Sequence, residues 1–213
     1  MTADQSALMA LIRAIGVDDA AALRLLAASP ALASARVAQG ATRQAARDYY
    51  LDPIGHYVYA GDTALHIAAA AYRCEVARKL IASGADVRAH NRRGAEPLHY
   101  AADGAPGAPT WNPDAQAETI AILISAGADA NAADNSGVMP LHRAVRTRCA
   151  AAVKALLAGG ANANAKNKSG SSPMQLATRN TGRGGSGAPE AKAQQIEIVR
   201  LLEEAKPIAV DLR

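Results

Sequence analysis

Residues 61–69 read GDTALHIAA, residues 94–102 GAEPLHYAA, residues 137–145 GVMPLHRAV and, more loosely, residues 170–178 GSSPMQLAT. Their opening glycines are 33, 43 and 33 residues apart, and self-similarity at a period of this size decides the architecture before any local assignment does. A second element keeps step: Leu80-Ile81 with SGAD at 83–86, Leu123-Ile124 with AGAD at 126–129, and Leu156-Leu157 with GGAN at 159–162, at intervals of 43 and 33 residues. Pro97, Pro140 and Pro173 stand where a first helical turn tolerates a missing N–H, and Gly84, Gly127 and Gly160 where a second helix has to stop. Each unit therefore predicts two short helices that cannot bury their apolar face alone but can do so by stacking on the next unit.

The period, the PLH-containing start, the paired Leu/Ile and the GAD turn resemble the ankyrin repeat over residues 59 to about 206. The resemblance implies an all-α solenoid of helix-turn-helix units with short β-hairpin fingers. We divide the single domain into a degenerate capping unit (1–36), an insertion (37–58), repeats at 59–91, 92–134, 135–167 and 168–206, and a tail (207–213). In the family the threonine of the TPLH element caps the inner helix and bonds the histidine. Here only Thr63 keeps it, Glu96 and Met139 replace it, and Ser172 retains a hydroxyl while Gln175 replaces the histidine. Weaker capping is expected in the middle repeats, a missing cap costing about 1 kcal/mol.

At the N-terminus the pattern gives a helix from about Ser6, a break at Gly16, a cap at Asp18 and a second helix through Leu23, Leu25 and Leu26. At the other end, residues 190–205 form an amphipathic helix with Ile196, Val199 and Leu202 expected inward.

Composition fits this picture. Half the chain is hydrophobic, yet aromatics make up 3% and Phe is absent, so the core has to be built from Leu, Ile, Val and the 54 alanines. Disordered and collagen-like classes are excluded. No stretch approaches the 18 or more uncharged apolar residues of a membrane span, no cationic segment precedes the first apolar stretch, and two cysteines are too few for a disulfide scaffold. The expectation is a soluble cytoplasmic protein. The net charge of +4 mildly favours acidic partners.

Features that could carry chemistry have simpler explanations. His66, His99 and His142 recur in the PLH slot, where stacking sets neighbours about 10 Å apart, too far to share an ion whose ligands lie near 2 Å. Cys74 and Cys149 lie two repeats apart, beyond disulfide reach. Residues 182–187 match GxGxxG, but the strand that should precede a dinucleotide fingerprint is missing, leaving a flexible turn or an anion-holding nest helped by Arg183. No nucleophile, base and orienting group recur together, so neither catalysis nor a cofactor is expected.

Departures from the repeat point instead to binding. About 10 extra residues fall within 103–116 and about 12 within 179–190, at the inner-to-outer turns of alternate repeats and hence on one edge of the stack. Trp111, the single tryptophan, sits in the first of these, either covering helix ends or anchoring a partner. Four of the six tyrosines, Tyr49, Tyr50, Tyr57 and Tyr59, fall in or beside the 37–58 insertion, and either plug the groove's N-terminal end or form a contact patch. By the resemblance, positions just past the inner helix face the groove; they hold Arg146 and Arg179, with Arg148 and Arg183 close by, while a finger adds His90, Arg92 and Arg93. These are either an ordinary solvated basic surface or a groove lining. The expectation is a scaffold or adaptor that binds another protein, through an acidic or C-terminal peptide segment, in a pocket shared by Trp111, Arg146 and the 179–190 insertion. The alternative is binding of nucleic acid or another polyanion, and an enzyme is the least favoured reading.

Overall fold

The computed structural model describes residues 3–108, 111–179 and 189–205. Within them five helix pairs follow one another: α1 (Ala3–Val17) with α2 (Asp19–Ala28), α3 (Ala64–Ala70) with α4 (Cys74–Ala82), α5 (Pro97–Ala102) with α6 (Pro113–Ser125), α7 (Pro140–Arg146) with α8 (Ala150–Ala158), and α9 (Pro173–Thr178) with α10 (Pro189–Glu204). The repeats start where the sequence places them. Thr63, Glu96, Met139 and Ser172 are extended N-cap residues, and helix begins at the next residue.

Odd-numbered helices stack on one another to form an inner layer, and even-numbered helices form an outer layer. Leu65, Leu98 and Leu141 fill the inner layer, and Leu80, Leu123 and Leu156 lie fully buried in the outer one. Ala68, Ala69, Ala101 and Ala144 are also wholly buried, so small side chains set the close approach of the inner helices. Gly84, Gly127 and Gly160 end the outer helices at φ of 91, 99 and 87°, left-handed values that glycine adopts without strain.

The turns between inner and outer helices alternate. In two repeats the turn is tight and passes through a left-handed non-glycine residue, Tyr72 (φ 55°) and Arg148 (φ 64°), at a cost of about 1 kcal/mol each. Each of these side chains then reaches to the end of the following inner helix: the Tyr72 hydroxyl donates to the Asp103 carbonyl, and the Arg148 guanidinium donates to the carbonyls of Ala177 and Arg179. Those following helices, α5 and α9, lead into the 103–112 and 179–188 connections, of which residues 109–110 and 180–188 lie outside the described residues.

Between helix pairs the fingers are built from turns rather than the expected β-hairpins. Side-chain oxygens of Asn91, Asp134 and Asn167 each accept two backbone N–H groups at the finger tip, and this local arrangement replaces a strand ladder. Successive fingers are joined by Arg92 N–H to Ala60 O, Asn135 N–H to Arg93 O and Lys168 N–H to Ser136 O, at 2.8, 2.9 and 3.2 Å. The one two-stranded sheet among the described residues lies in the insertion, where β1 (Tyr50–Leu51) pairs antiparallel with β2 (His56–Tyr57). Leu51 and Val58 are buried, and the His56 ring rests 4.6 Å from the Tyr100 ring on α5, so the hairpin lies over the N-terminal part of the inner face.

Two registers differ from expectation. In α10, Ala191, Ile198, Leu201 and Leu202 face inward and Ile196 is 72% exposed, because Gln194 accepts the Ala150 N–H while Gln195 donates to the Ala177 carbonyl, fixing the rotation of the helix. In α2 the buried leucine is Leu26, with Leu25 at the surface. Leu123→Ala is expected to lose about 2–5 kcal/mol in urea unfolding, and Ile196→Ala less than about 0.5 kcal/mol. A small loss at Leu123 contradicts the burial just described.

Candidate functional site

Each inner helix has six or seven residues, and its first turn is held by one side chain. The backbone N–H of Thr63, Glu96 and Met139 donates to Nδ1 of His66, His99 and His142 at 3.1, 3.1 and 3.2 Å. Since Nδ1 accepts, Nε2 carries the proton, and it donates across the stack to Ala95 O, Val138 O and Ser171 O respectively. Gln175 Oε1 takes the same position for Ser172. The middle repeats thus keep the backbone half of their cap; only the hydroxyl contact, Thr63 Oγ1 to His66 Nδ1 at 3.0 Å, is missing from them. Burial pushes the His66 pKa down to about 3 and that of His99 down to about 4, and it lowers that of His142. With both nitrogens engaged, these histidines are structural members of the stack.

The hairpin divides the inner face into two adjoining cavities that share His56, Tyr100 and Asp103 as their common wall. The first, about 520 Å³, lies between the hairpin tip at Pro53 and Ile54, the Ala70–Ala71 end of α3, and Trp111. The second, about 530 Å³, brings together Tyr59, Arg92, Arg93, Arg143 and Arg146. In it Arg143 bridges Asp103 at 3.0 Å and Asp134 at 3.1 Å, and Arg146 approaches the other oxygen of Asp103 at 3.9 Å. Burial works against the Arg143 charge, and the two carboxylates more than offset it. The Arg93 guanidinium lies 4.4 Å from the centre of the Tyr59 ring and that of Arg92 5.4 Å, within cation–π range. Arg92 also donates to the Ala41 carbonyl. Among the described residues no carboxylate pairs with Arg93.

Four of the sequence candidates, Tyr59, Arg92, Arg93 and Arg146, therefore meet in one cavity. Trp111 does not join them. It is half-buried in the neighbouring cavity, with Nε1 donating to Gln116 at 3.0 Å, so it covers helix ends and faces that cavity as well. Arg148 departs furthest from expectation: it is 1% exposed, and its guanidinium is engaged by the end of α9, so it clasps the stack from inside and presents nothing to a partner. His90 is exposed on the finger, 3.7 Å from Glu96, and Arg179 is exposed beyond α9; neither lines a cavity. Arg183 and the GxGxxG segment lie outside the described residues.

Sequence reasoning passed over Arg143, Asp134 and Tyr100. A signal was present: the residue after PLH is Ile67, Tyr100, Arg143 and Leu176 in successive repeats, polar only in the middle two. Asp62 was missed as well. It is fully buried where the other repeats place Ala95, Val138 and Ser171, and its carboxylate accepts from the Tyr59 N–H, Asn91 Nδ2 and the Tyr100 hydroxyl.

A stack of paired helices joined by turn-built fingers, with the PLH histidine tying each unit to the next, defines a helical repeat solenoid. The chain is an ankyrin-repeat protein: a model of the ankyrin repeat matches residues 60–92, and a model of multiple ankyrin repeats matches residues 123–177. Residues 93–122 lie between the two matches, yet His99 makes the same pair of bonds there as its counterparts. No curated protein matches the chain. Among the described residues no helix is long and apolar enough to cross a membrane.

The depressed histidine pKa values fix the sign of a pH dependence. Below about 6.5 the unfolded chain takes up protons that the folded chain refuses, so stability is full above that pH and falls as pH drops toward about 4. Each histidine contributes up to about 1.4 kcal/mol per pH unit. Asp62 and Glu96, whose carboxyls burial pushes up, act in the opposite sense at lower pH, so the slope is best read between pH 6.5 and 5. His99→Gln, which copies the Gln175 solution, is expected to flatten that slope in urea melts, whereas an unchanged slope excludes the neutral-histidine account.

Proposed function

We propose that this chain is a protein-binding module, a scaffold or adaptor, that holds an acidic or C-terminal segment of its partner on the inner face, in the cavity of Tyr59, Arg92, Arg93 and Arg146. Ankyrin repeats are generally protein–protein interaction modules, which supports the class of function. The observation that carries the site is Arg93, an exposed guanidinium held over an aromatic ring, facing Arg146 across a floor whose carboxylates are already occupied by Arg143. A carboxylate entering there meets cations without displacing an existing ion pair. Arginine suits the task because its planar fork binds a carboxylate in two parallel hydrogen bonds. The module binds rather than catalyses. Its setting is a reducing, cytoplasmic one, in keeping with the free thiols of Cys74 and Cys149.

Binding of fluorescein-labelled acidic hexapeptides, with free or amidated C-termini, tests the reading by fluorescence anisotropy. Arg93→Ala and Arg146→Ala are each expected to weaken binding by about fivefold or more, that is more than about 1 kcal/mol, with the melting temperature nearly unchanged. Equal binding of Asn/Gln analogues overturns the site. Tighter binding of an oligothymidine, falling steeply with salt, supports the polyanion alternative instead.

A further inference from the structure

The two cavities differ in what they leave unsatisfied. In the first, the polar groups of the wall are engaged within the protein. The Tyr72 hydroxyl donates to Asp103 O, the Trp111 indole N–H to Gln116, and the Tyr100 hydroxyl to Asp62. Arg73 is held by the carbonyls of Ile15 and Gly16 and by Asp19 at 3.4 Å. What remains facing the space is largely hydrocarbon: the Pro53 and Ile54 side chains, alanine methyls and the indole ring. An apolar group entering it strips no hydrogen bond from the wall, and burial there is favourable in proportion to the area covered. The second cavity is the opposite case, with guanidinium groups from two sides and no carboxylate paired with Arg93.

The partition between them is the hairpin's His56 stacked on Tyr100, together with Asp103. Because the cavities share that wall, a segment lying across it reaches both within a few residues, an extended chain advancing about 3.3 Å per residue.

We infer that the two cavities are subsites for one partner segment, an extended peptide in which a bulky apolar side chain enters the Trp111 cavity and a carboxylate a few residues away enters the Arg93 cavity. This rests on the acidic-segment reading above and adds to it an apolar requirement and a fixed spacing. Charge complementarity orients the segment, since the cations stand on one side of the His56–Tyr100 partition only.

The probes are decapeptides on a Gly/Ser background, free of Trp and Tyr, carrying one Leu placed one to five residues before an Asp-Glu pair, and the same peptides with Leu replaced by Ala. Labelled forms are read by anisotropy, and unlabelled forms by the emission of Trp111, the single tryptophan of the chain. At the matching spacing the Leu peptide is expected to bind about tenfold more tightly than its Ala counterpart and to shift the Trp111 emission. Ala105→Phe, which fills the first cavity from an exposed connection, is expected to bring the Leu peptide down to the affinity of the Ala peptide; a urea melt checks that the variant folds. If Arg93→Ala weakens every acidic peptide while Leu confers no advantage and Trp111 stays silent at all spacings, the two-subsite inference falls and the acidic-site reading stands. If neither Leu nor the carboxylates matter, both fall. A Leu advantage that survives in folded Ala105→Phe protein places the apolar contact elsewhere and overturns the assignment.

Discussion

The architecture depends on one bond pattern, the neutral imidazole that accepts a backbone N–H at the start of its own helix and donates to a carbonyl of the next unit. Inner helices of six or seven residues are far too short to persist alone, since isolated helices below about 12–15 residues are marginal in water. The histidine removes both difficulties at once. It satisfies a group at the helix start that would otherwise be left without a partner, and it joins that start to a neighbour that needs the same service. Burial reinforces the arrangement by disfavouring the charged ring, which would lose its acceptor nitrogen.

Superimposed on the 33-residue unit is a longer alternation of 76 residues, the distance from Gly61 to Gly137 and from Gly94 to Gly170. Tyr72 and Arg148 occupy the same place in it, as do their acceptors Asp103 and Arg179. Gln116 and Gln195 extend the correspondence, donating to Ala101 O and Ala177 O respectively. A repeat with a tight turn thus sends a side chain to secure the end of the next inner helix, whose own turn is replaced by a longer connection. Longer connections are tolerated because the helix end they leave is already clasped, and loop length itself adds little entropic cost.

This alternation explains which parts of the molecule were legible in the sequence. Helix starts, outer-layer leucines and stop glycines follow from local chemistry repeated at a fixed step, so Thr63, Leu123 and Gly127 could be placed from the sequence. Arg148 could not. Its charge suggests a surface, and only the comparison with Tyr72 one 76-residue step earlier shows a residue reaching inward. Ile196 was misplaced for a related reason: two glutamines docking on α8 and α9 outweigh the hydrophobic pattern of α10 itself. The gathering of Tyr59, Arg92, Arg93 and Arg146 was only partly readable, because it depends on where a hairpin with no counterpart in the repeats comes to rest.

The hairpin also decides what kind of surface the inner face becomes. Without it, the ends of α3 and α5 would form one continuous groove, with Trp111 and the arginines exposed to the same solvent. Seated on Tyr100, His56 closes one space off as apolar and leaves the other cationic. Arg143 contributes by being unavailable: pinned between Asp103 and Asp134, it fixes the floor of the cationic cavity and leaves recognition to the rim arginines. A floor held by charge-assisted bonds on both sides does not need to be ordered when a ligand arrives, so less of the interaction is lost to immobilising side chains. The same pairing limits affinity for indiscriminate polyanions, because two of the cavity's four arginines already have a carboxylate within 4 Å. Selectivity for a short acidic segment over a long phosphate backbone therefore follows from the carboxylates in the groove as much as from its cations.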